Sequence, residues 1–172
     1  KIDVIYNPIN SKKIINKSYL DFISNFKKNS NLILAVGSFK LEKDFQNLIK
    51  AFKILSKKID IKLIIIGDGP LFKEINKYIY DQKLENKIHL PGFIEDLYVF
   101  YKLADVFVIS SIHEGFGNVV VESLSVGTSV VSTSSGGPEE ILDYGRFGTI
   151  AKPEDSNDLS DKILYKLMNK DK

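Results

Sequence analysis

The 172-residue chain has no cysteine, no tryptophan and a single arginine, Arg146. The lack of cysteine excludes disulfides, thiol nucleophiles and cysteine-based metal sites, and it is typical of proteins from a reducing compartment. We therefore expect a cytoplasmic location. The scarcity of arginine bears on anion binding, because the guanidinium group is the side chain that holds a phosphate through two parallel hydrogen bonds.

Long apolar runs are also missing. The apolar runs, such as 63–66 and 106–109, have the length of strands, and the first residues lack the charged-then-apolar pattern of a secretory leader. We expect no membrane-spanning segment. The 24 basic and 22 acidic side chains leave a formal charge of +2 and are spread along the chain, which argues against a nucleic-acid partner.

What is present is an alternation of two patterns. Short β-branched runs alternate with stretches in which apolar residues recur every three or four positions, which predicts an α/β fold with a parallel sheet and helices on both faces. The chain is long enough for one domain, and the segment 1–17 is expected to connect it to another part of a longer protein. The predicted strands are 4–6, 32–36, 62–66, 88–90, 106–109 and 129–132. The predicted helices are 20–26, 45–55, 71–82, 97–104, 119–126 and 159–168.

Glycine-containing loops follow the predicted strands. Gly37 and Ser38 follow the second strand, Gly67 and Gly69 follow the third, and Gly92 follows the fourth. In such sheets ligands bind outside the carboxyl ends of the strands, and glycine lets backbone amides approach a ligand closely. We expect a ligand site at this edge of the sheet.

The strongest local signal is the loop that leads from strand 106–109 into a helix. Its glycines, Gly115 and Gly117, lack the third glycine of the dinucleotide-cofactor fingerprint. The amides at a helix start lie at the positive end of its dipole, so a diphosphate would fit there. Glu122 lies among apolar residues of this helix and needs a partner; a ribose diol could supply two donors, and Glu114 could reach the next part of the same ligand. The alternative is that Glu122 faces solvent or caps a neighbouring loop.

Other catalytic patterns are incomplete. A histidine–glutamate pair begins at His113, but the zinc-protease motif requires a second histidine four residues later, where the chain has Gly117. No P-loop is present, and no Gly-x-Ser-x-Gly turn presents a nucleophile, so Ser132, Ser134 and Ser135 are predicted to form turns. Lys43 could project toward a phosphate as a point charge, or it could be an ordinary surface lysine.

Taken in order, these segments resemble a known family. The run Ser110-Ser-Ile-His-Glu-Gly-Phe-Gly-Asn-Val-Val-Val-Glu122 resembles the Glu-x7-Glu motif of GT-B glycosyltransferases, family 4, group 1. Val36-Gly-Ser-Phe-Lys-Leu-Glu-Lys43 resembles the family's Gly-Arg-Leu-x-x-x-Lys segment, and 66–70, 90–93 and 136–141 match further loops in the same order. The resemblance implies a Rossmann-like domain, the donor-binding half of a GT-B fold.

The resemblance also implies roles for individual residues. Lys43 would neutralise the donor diphosphate, Glu122 would bind the ribose hydroxyls, and Glu114 would contact hydroxyls of the transferred sugar. The base would lie near Gly92, Phe93 and Ile94. The implied catalytic residues are Glu114 and Lys43, and the implied donor-binding residues are Gly37, Ser38, Lys43, Gly67, Gly69, Gly92, Phe93, Ile94, Glu114, Gly115, Phe116, Gly117, Asn118, Val119 and Glu122.

At two positions the chain departs from the family pattern, with Ser38 in place of an arginine and Asp44 in place of a glycine. The family implies a retaining transfer of a hexose or N-acetylhexosamine, without a metal or other cofactor, from a nucleotide sugar expected to be UDP-linked. The acceptor, a glycan or lipid-linked chain of a bacterial surface polysaccharide, would bind a separate N-terminal domain, with peripheral membrane association of the full-length protein. The alternatives are a non-catalytic nucleotide-sugar-binding module and a sugar-nucleotide epimerase of the same fold.

Overall fold

The computed structural model describes residues 15–169. The predicted strand 4–6 and most of the predicted connecting segment 1–17 lie outside the described residues and stay predictions. Within 15–169 the strands are β1 (Asn31–Val36), β2 (Ile61–Ile66), β3 (Ile88–Gly92), β4 (Val106–Ile109), β5 (Val130–Thr133) and β6 (Thr149–Ala151). The helices are α1 (Lys17–Lys27), α2 (Phe45–Leu55), α3 (Phe72–Asp81), α4 (Tyr98–Leu103), α5 (Asn118–Ser125), α6 (Gly137–Ile141) and α7 (Ser156–Met168), with short 3-10 turns at Leu41–Lys43 and Asp143–Gly145.

The six strands form one parallel sheet in the order β3-β2-β1-β4-β5-β6. This order confirms the predicted α/β class and the Rossmann-like arrangement. From the central β1–β4 pair, the chain builds outward in one direction through β2 and β3 and in the other through β5 and β6. A ligand crevice is expected outside the carboxyl ends of the strands at this point of reversal.

Both faces of the sheet are buried. In β1, Leu32 and Leu34 pack into the layer that contains α1, α4 and α5, while Ile33 and Ala35 pack into the layer that contains α2, α3 and α7. Because neither face meets water, the strand is apolar from Leu32 to Val36 rather than alternating. The predicted helix 45–55 is confirmed as α2, and its apolar stripe is buried.

Two elements were missed by sequence reasoning, and one strand runs further than predicted. The edge strand Thr149–Ala151 has three residues, of which only Ala151 is buried, so it carries no apolar run. Helix α6 has five residues and contains Pro138 in its first turn, which hides its helical character. Strand β3 continues through Pro91 to Gly92, which is tolerated because an edge strand has one side free of sheet hydrogen bonds.

Candidate functional site

The loops that follow β1 and β4 meet at the carboxyl edge of the sheet. The Ser110 hydroxyl donates to the Lys43 carbonyl at 2.7 Å, and the Ile112 amide donates to the Glu42 carbonyl at 2.8 Å. These two bonds hold the turn Leu41–Lys43 against the start of the β4 loop. The sequence motifs around Lys43 and Glu114, far apart along the chain, therefore lie side by side.

Within this junction the Lys43 ammonium forms an ion pair with the Glu114 carboxylate. The side chains are only 17% and 15% exposed, and the Ser111 hydroxyl donates to the same carboxylate oxygen at 3.2 Å. Gly37 flanks the pair, since a Cβ there would lie 3.4 Å from Lys43 Cδ. The structure thus brings the two predicted catalytic side chains into direct contact, a pairing that sequence reasoning did not predict.

The β4 loop is held on its other side by the loop after β5. The Glu114 amide donates to the Ser135 carbonyl at 2.8 Å, and the Gly137 amide donates to the Glu114 carbonyl at 3.4 Å. A Cβ at Gly137 would lie 1.8 Å from the Gly115 carbonyl oxygen, so only glycine allows this approach. The predicted anion loop is therefore clamped between two neighbouring loops.

Helix α5 begins directly after the clamped loop. Its N-cap is Gly117, with φ of 84° and ψ of 53° in the left-handed region, a conformation that glycine adopts readily. Glycine offers no side-chain oxygen to the amides of the first turn, which lie at the positive end of the helix dipole. The predicted helix start near Gly117 is thus observed, with Asn118 as the first helical residue and Val119 partly buried behind it.

Glu122, one turn into α5, has a partner that sequence reasoning missed. The Tyr101 hydroxyl donates to Glu122 Oε2 at 3.0 Å. Tyr101 is only 2% exposed, and burial raises the pKa of its hydroxyl, with the Glu122 charge adding to the shift. The signal was available, because a buried tyrosine hydroxyl usually finds a hydrogen-bond partner, but in sequence Tyr101 reads as one more apolar position of a helix.

The glycines after β2 serve close packing between loops. Gly67 has φ of +146°, and a Cβ there would lie 1.9 Å from the Gly37 carbonyl oxygen. Gly69 has φ of +154°, and its Cβ would lie 2.7 Å from the Phe39 nitrogen. Both glycines therefore shape the Gly37–Phe39 loop. A direct contact between either glycine and a ligand stays a prediction.

The predicted base-binding residues after β3 have different environments. Phe93 is 75% exposed, whereas Ile94 is 9% exposed and belongs to the apolar layer beside α1 and α4. The Gly92 carbonyl accepts from the Gly67 amide at 2.9 Å, which ties this loop to the one after β2. The exposed Phe93 ring and the backbone around it are available to a ligand, while the side chain of Ile94 serves the core.

Of the two positions that depart from the family pattern, Asp44 is explained by its backbone conformation, and nothing in the structure explains Ser38. Asp44 has φ of 44° and ψ of 48°, the left-handed conformation for which glycine is best suited. Its carboxylate accepts from the Asn47 amide at 3.2 Å and so caps α2. Burial raises the pKa of Asp44, and the Glu154 charge adds to this shift. Ser38 is partly buried beside Gly37 and offers a hydroxyl where a guanidinium would stand.

Within residues 15–169, no group of three histidine, aspartate or glutamate side chains comes together to hold a metal ion. No helix in this part of the chain is long and apolar enough to cross a membrane.

Comparison with known proteins gives consistent matches. The family described as "Glycosyl transferases group 1" matches residues 16–172. The chain is 32% identical over 160 residues to N-acetylgalactosamine-N,N'-diacetylbacillosaminyl-diphospho-undecaprenol 4-alpha-N-acetylgalactosaminyltransferase of Campylobacter jejuni, covering 92% of this chain and 42% of the relative. It is 31% identical over 142 residues to 2-deoxystreptamine N-acetyl-D-glucosaminyltransferase of Niallia circulans, covering 81% of this chain and 36% of the relative.

Solved structures agree on the fold. The Anabaena protein HepE in complex with UDP and glucose superposes with a TM-score of 0.79 at 23% identity, over 91% of this chain and 44% of HepE. The lipopolysaccharide glycosyltransferase WaaG superposes with a TM-score of 0.76 at 19% identity, over 88% of this chain and 41% of WaaG. At these identities the likeness concerns the fold alone. The chain spans less than half the length of the relatives it matches.

Proposed function

The chain belongs to the group 1 glycosyltransferases, and we propose that it is the donor-binding half of a retaining enzyme that uses a UDP-linked hexose or N-acetylhexosamine. Membership of the family confirms the resemblance drawn from the motifs. The observation that carries the donor assignment is the Lys43–Glu114 ion pair, whose carboxylate belongs to the loop that leads into α5. A cation and a carboxylate thus meet in the loop that precedes a helix N-terminus, which supports the proposal.

The diphosphate of the donor takes the position between Lys43 and the start of α5. Both groups favour negative charge, the lysine as a point charge and the helix through its first amides. A diphosphate carries more negative charge than one carboxylate, so it competes with Glu114 for the ammonium group. Binding of the donor then frees Glu114 to accept hydrogen bonds from hydroxyls of the sugar.

The same groups act on the leaving diphosphate. When the bond from the sugar anomeric carbon to the diphosphate oxygen breaks, negative charge grows on that oxygen. Lys43 and the amides at the start of α5 stabilise this charge without moving, which is the electrostatic form of catalysis. This scheme requires no metal. Ser38 contributes only a hydroxyl, so the diphosphate is held by one fixed side-chain charge where the family pattern has two.

The ribose and the base extend away from this point toward α4 and β3. An ionised carboxylate has about four lone-pair sites; Tyr101 engages one oxygen of Glu122, which leaves capacity for a ribose diol. The base then lies beside Gly92 and Phe93. HepE was solved with UDP and with UDP-glucose, which supports uracil as the first base to test.

The acceptor belongs to the part of the protein outside this chain, since the chain covers 42% of its Campylobacter relative. That relative acts on a diphospho-undecaprenol-linked acceptor, by its name. We extend this to the present protein as a lipid-linked or glycan acceptor of surface polysaccharide synthesis. The full-length protein is then a cytoplasmic enzyme that associates with the inner face of the membrane. The isolated chain binds the donor and transfers no sugar alone.

Titration with nucleotides tests the donor site. UDP, GDP and ADP are added to the isotope-labelled protein while amide shifts are recorded, and UDP is expected to shift the loop 114–118 most strongly. Lys43→Met is expected to weaken UDP binding about 10- to 100-fold, whereas Lys73→Met, at an exposed position of α3, leaves it unchanged. Equal affinity of the Lys43→Met and unmodified proteins would contradict the diphosphate assignment.

Glu114 gives a sharper test because its two proposed contacts differ. Glu114→Gln frees Lys43 from its carboxylate partner, so UDP affinity is expected to stay equal or rise. Affinity for the complete UDP-sugar is expected to fall relative to UDP, because the amide replaces the carboxylate that accepts from sugar hydroxyls. A parallel loss for UDP and UDP-sugar would contradict the separation of roles between Lys43 and Glu114.

Ser38 favours a second candidate, a nucleotide-sugar-binding module without transfer activity. The full-length protein, assayed with a panel of sugar nucleotides and a lipid-linked acceptor, distinguishes the two. Tight nucleotide binding without turnover supports the module, and transfer to the acceptor supports the enzyme. Release of a new sugar nucleotide in the absence of acceptor would instead identify an epimerase.

A further inference from the structure

Tyr101 is a buried residue whose hydroxyl bonds to the Glu122 carboxylate. Its ring packs edge-on against Phe107, with centroids 5.3 Å apart at 81°, and its carbonyl accepts from the Thr128 hydroxyl at 2.7 Å. The side chain is 2% exposed. The ring and the backbone of Tyr101 are thus held by separate contacts, and its hydroxyl is presented to Glu122 from a fixed direction.

Glu122 has more rotational freedom of its own than the packed tyrosine ring, since a glutamate side chain has three rotatable bonds. The hydroxyl of Tyr101 holds Oε2 at 3.0 Å and selects one arrangement of the carboxylate. Burial raises the pKa of Tyr101 above its ordinary value of 10.0, so the hydroxyl remains a donor across the neutral pH range.

We propose that Tyr101 is the positioning residue of the ribose site: its hydroxyl holds the Glu122 carboxylate in the orientation that accepts both ribose hydroxyls. This inference rests on the proposed function, since it takes Glu122 to be the ribose-binding group. The contribution of Tyr101 is preorganisation, because a carboxylate that is already oriented loses less side-chain freedom when the ligand binds. Tyr101 itself touches no ligand.

The alternative role for the bond is packing between α4 and α5. The two roles differ in what they predict for ligands. A packing role affects every nucleotide that binds the site, whereas a positioning role affects only ligands that carry the ribose hydroxyls. UDP and 2′,3′-dideoxy-UDP share the base and the diphosphate and differ in those hydroxyls alone, so their affinity ratio isolates the interaction with Glu122.

The test measures dissociation constants of both nucleotides for the unmodified protein and for Tyr101→Phe, which removes one oxygen and keeps the ring. UDP binding is expected to weaken about 3- to 10-fold, with no change for the dideoxy nucleotide. Tyr19→Phe is the matched control, because Tyr19 packs on Phe100 in the same apolar layer, with ring centroids 5.1 Å apart. Its affinity ratio is expected to equal that of the unmodified protein.

Glu122→Ala supplies the second arm. If Tyr101 acts through Glu122, adding Tyr101→Phe to Glu122→Ala causes no further loss of UDP affinity. Equal weakening of both nucleotides by Tyr101→Phe, or no weakening of either, would overturn the inference. The proposed function fails in a different way: the unmodified protein then binds UDP and dideoxy-UDP equally, or Glu122→Ala leaves their ratio unchanged.

Discussion

Replacing Gly137 by alanine tests whether the contact between the loops that follow β4 and β5 maintains the conformation of the proposed donor site. The added Cβ would lie 1.8 Å from the Gly115 carbonyl oxygen and 2.7 Å from that of Phe116. Ordinary carbon–oxygen contacts are about 3.3–3.6 Å, so one loop must shift by about 1.5 Å relative to the other. The backbone of Gly137 itself is compatible with alanine, because its φ lies outside the positive region. The change is therefore a displacement of the loop that carries Glu114, without intrinsic backbone strain.

Two measurements follow from this displacement. Crowding of this kind costs about 1–3 kcal/mol of stability, which lowers Tm by about 2–12 °C for a chain of this size. A shift above 1 Å in the loop is expected to weaken UDP binding about 10- to 100-fold. Calorimetric titration is carried out well below Tm, with circular dichroism confirming that the variant is folded.

Gly145→Ala is the matched control for this experiment. It makes the same chemical change at a residue with φ of +111°, where an added Cβ meets nothing within 4 Å. Backbone strain there costs about 1–3 kcal/mol, with no displacement of the donor loops. It is expected to lower Tm and leave UDP affinity unchanged. A Gly137→Ala protein that is destabilised but binds UDP as tightly as the unmodified protein would refute the reasoning.

Two further predictions concern pH and stability. Burial raises the pKa of Asp44 from 3.8, so the contribution of this group to folding stability is favourable at acid pH and is lost as the pH rises through the folded-state pKa. Asp44→Asn keeps the cap on Asn47 and is expected to raise Tm near pH 7 but not near pH 3. Asp44→Ala loses the cap, which costs about 1–2 kcal/mol of stability. An Asn variant less stable than the Ala variant at pH 7 would contradict this. Burial lowers the pKa of His89 from 6.5; its ring packs against the stacked pair of Phe22 and Phe26. The contribution of neutral His89 to folding stability is complete above pH 6.5 and is lost as the pH falls through the folded-state pKa. The stability of His89→Gln, measured by urea denaturation, is expected to depend less on pH between 7 and 5 than that of the unmodified protein. An equal pH dependence of the two proteins would count against this account.

The carboxyl-edge location of the site follows from sequence because it depends on periodicity and glycine placement, both of which are local. The alternating runs predict a parallel sheet, and a parallel sheet brings its strand ends to one edge. What could not be predicted are contacts between residues distant in sequence. Two such contacts are the bond from Tyr101 to Glu122 and the ion pair of Lys43 with Glu114. They depend on which loops and helices become neighbours. This is set by the strand order, which no single segment of the sequence determines.

The glycines after β2 show the same limit of prediction from sequence. Sequence reasoning placed Gly67 and Gly69 near a ligand because glycine permits close approach. In the structure, the backbone of Gly37 and Phe39 approaches these glycines closely, and a ligand contact there stays a prediction. Similarly, sequence shows Asp44 only as a departure from the family's glycine, whereas the structure shows that its carboxylate accepts a capping bond from the Asn47 amide.

The pairing of Lys43 with Glu114 has a consequence for how fast the donor arrives. The positive charge of Lys43 is offset at close range by the Glu114 carboxylate, so little field extends into solvent to attract a distant anion. The association rate of the nucleotide is then governed by diffusion and orientation. This rate is expected to depend only weakly on ionic strength, which screens charges beyond a Debye length of about 8 Å. Under the proposed function, the full attraction between Lys43 and the diphosphate arises only after Glu114 has turned away. The charge of Lys43 is then expected to act mainly on the lifetime of the bound nucleotide and little on the rate of encounter.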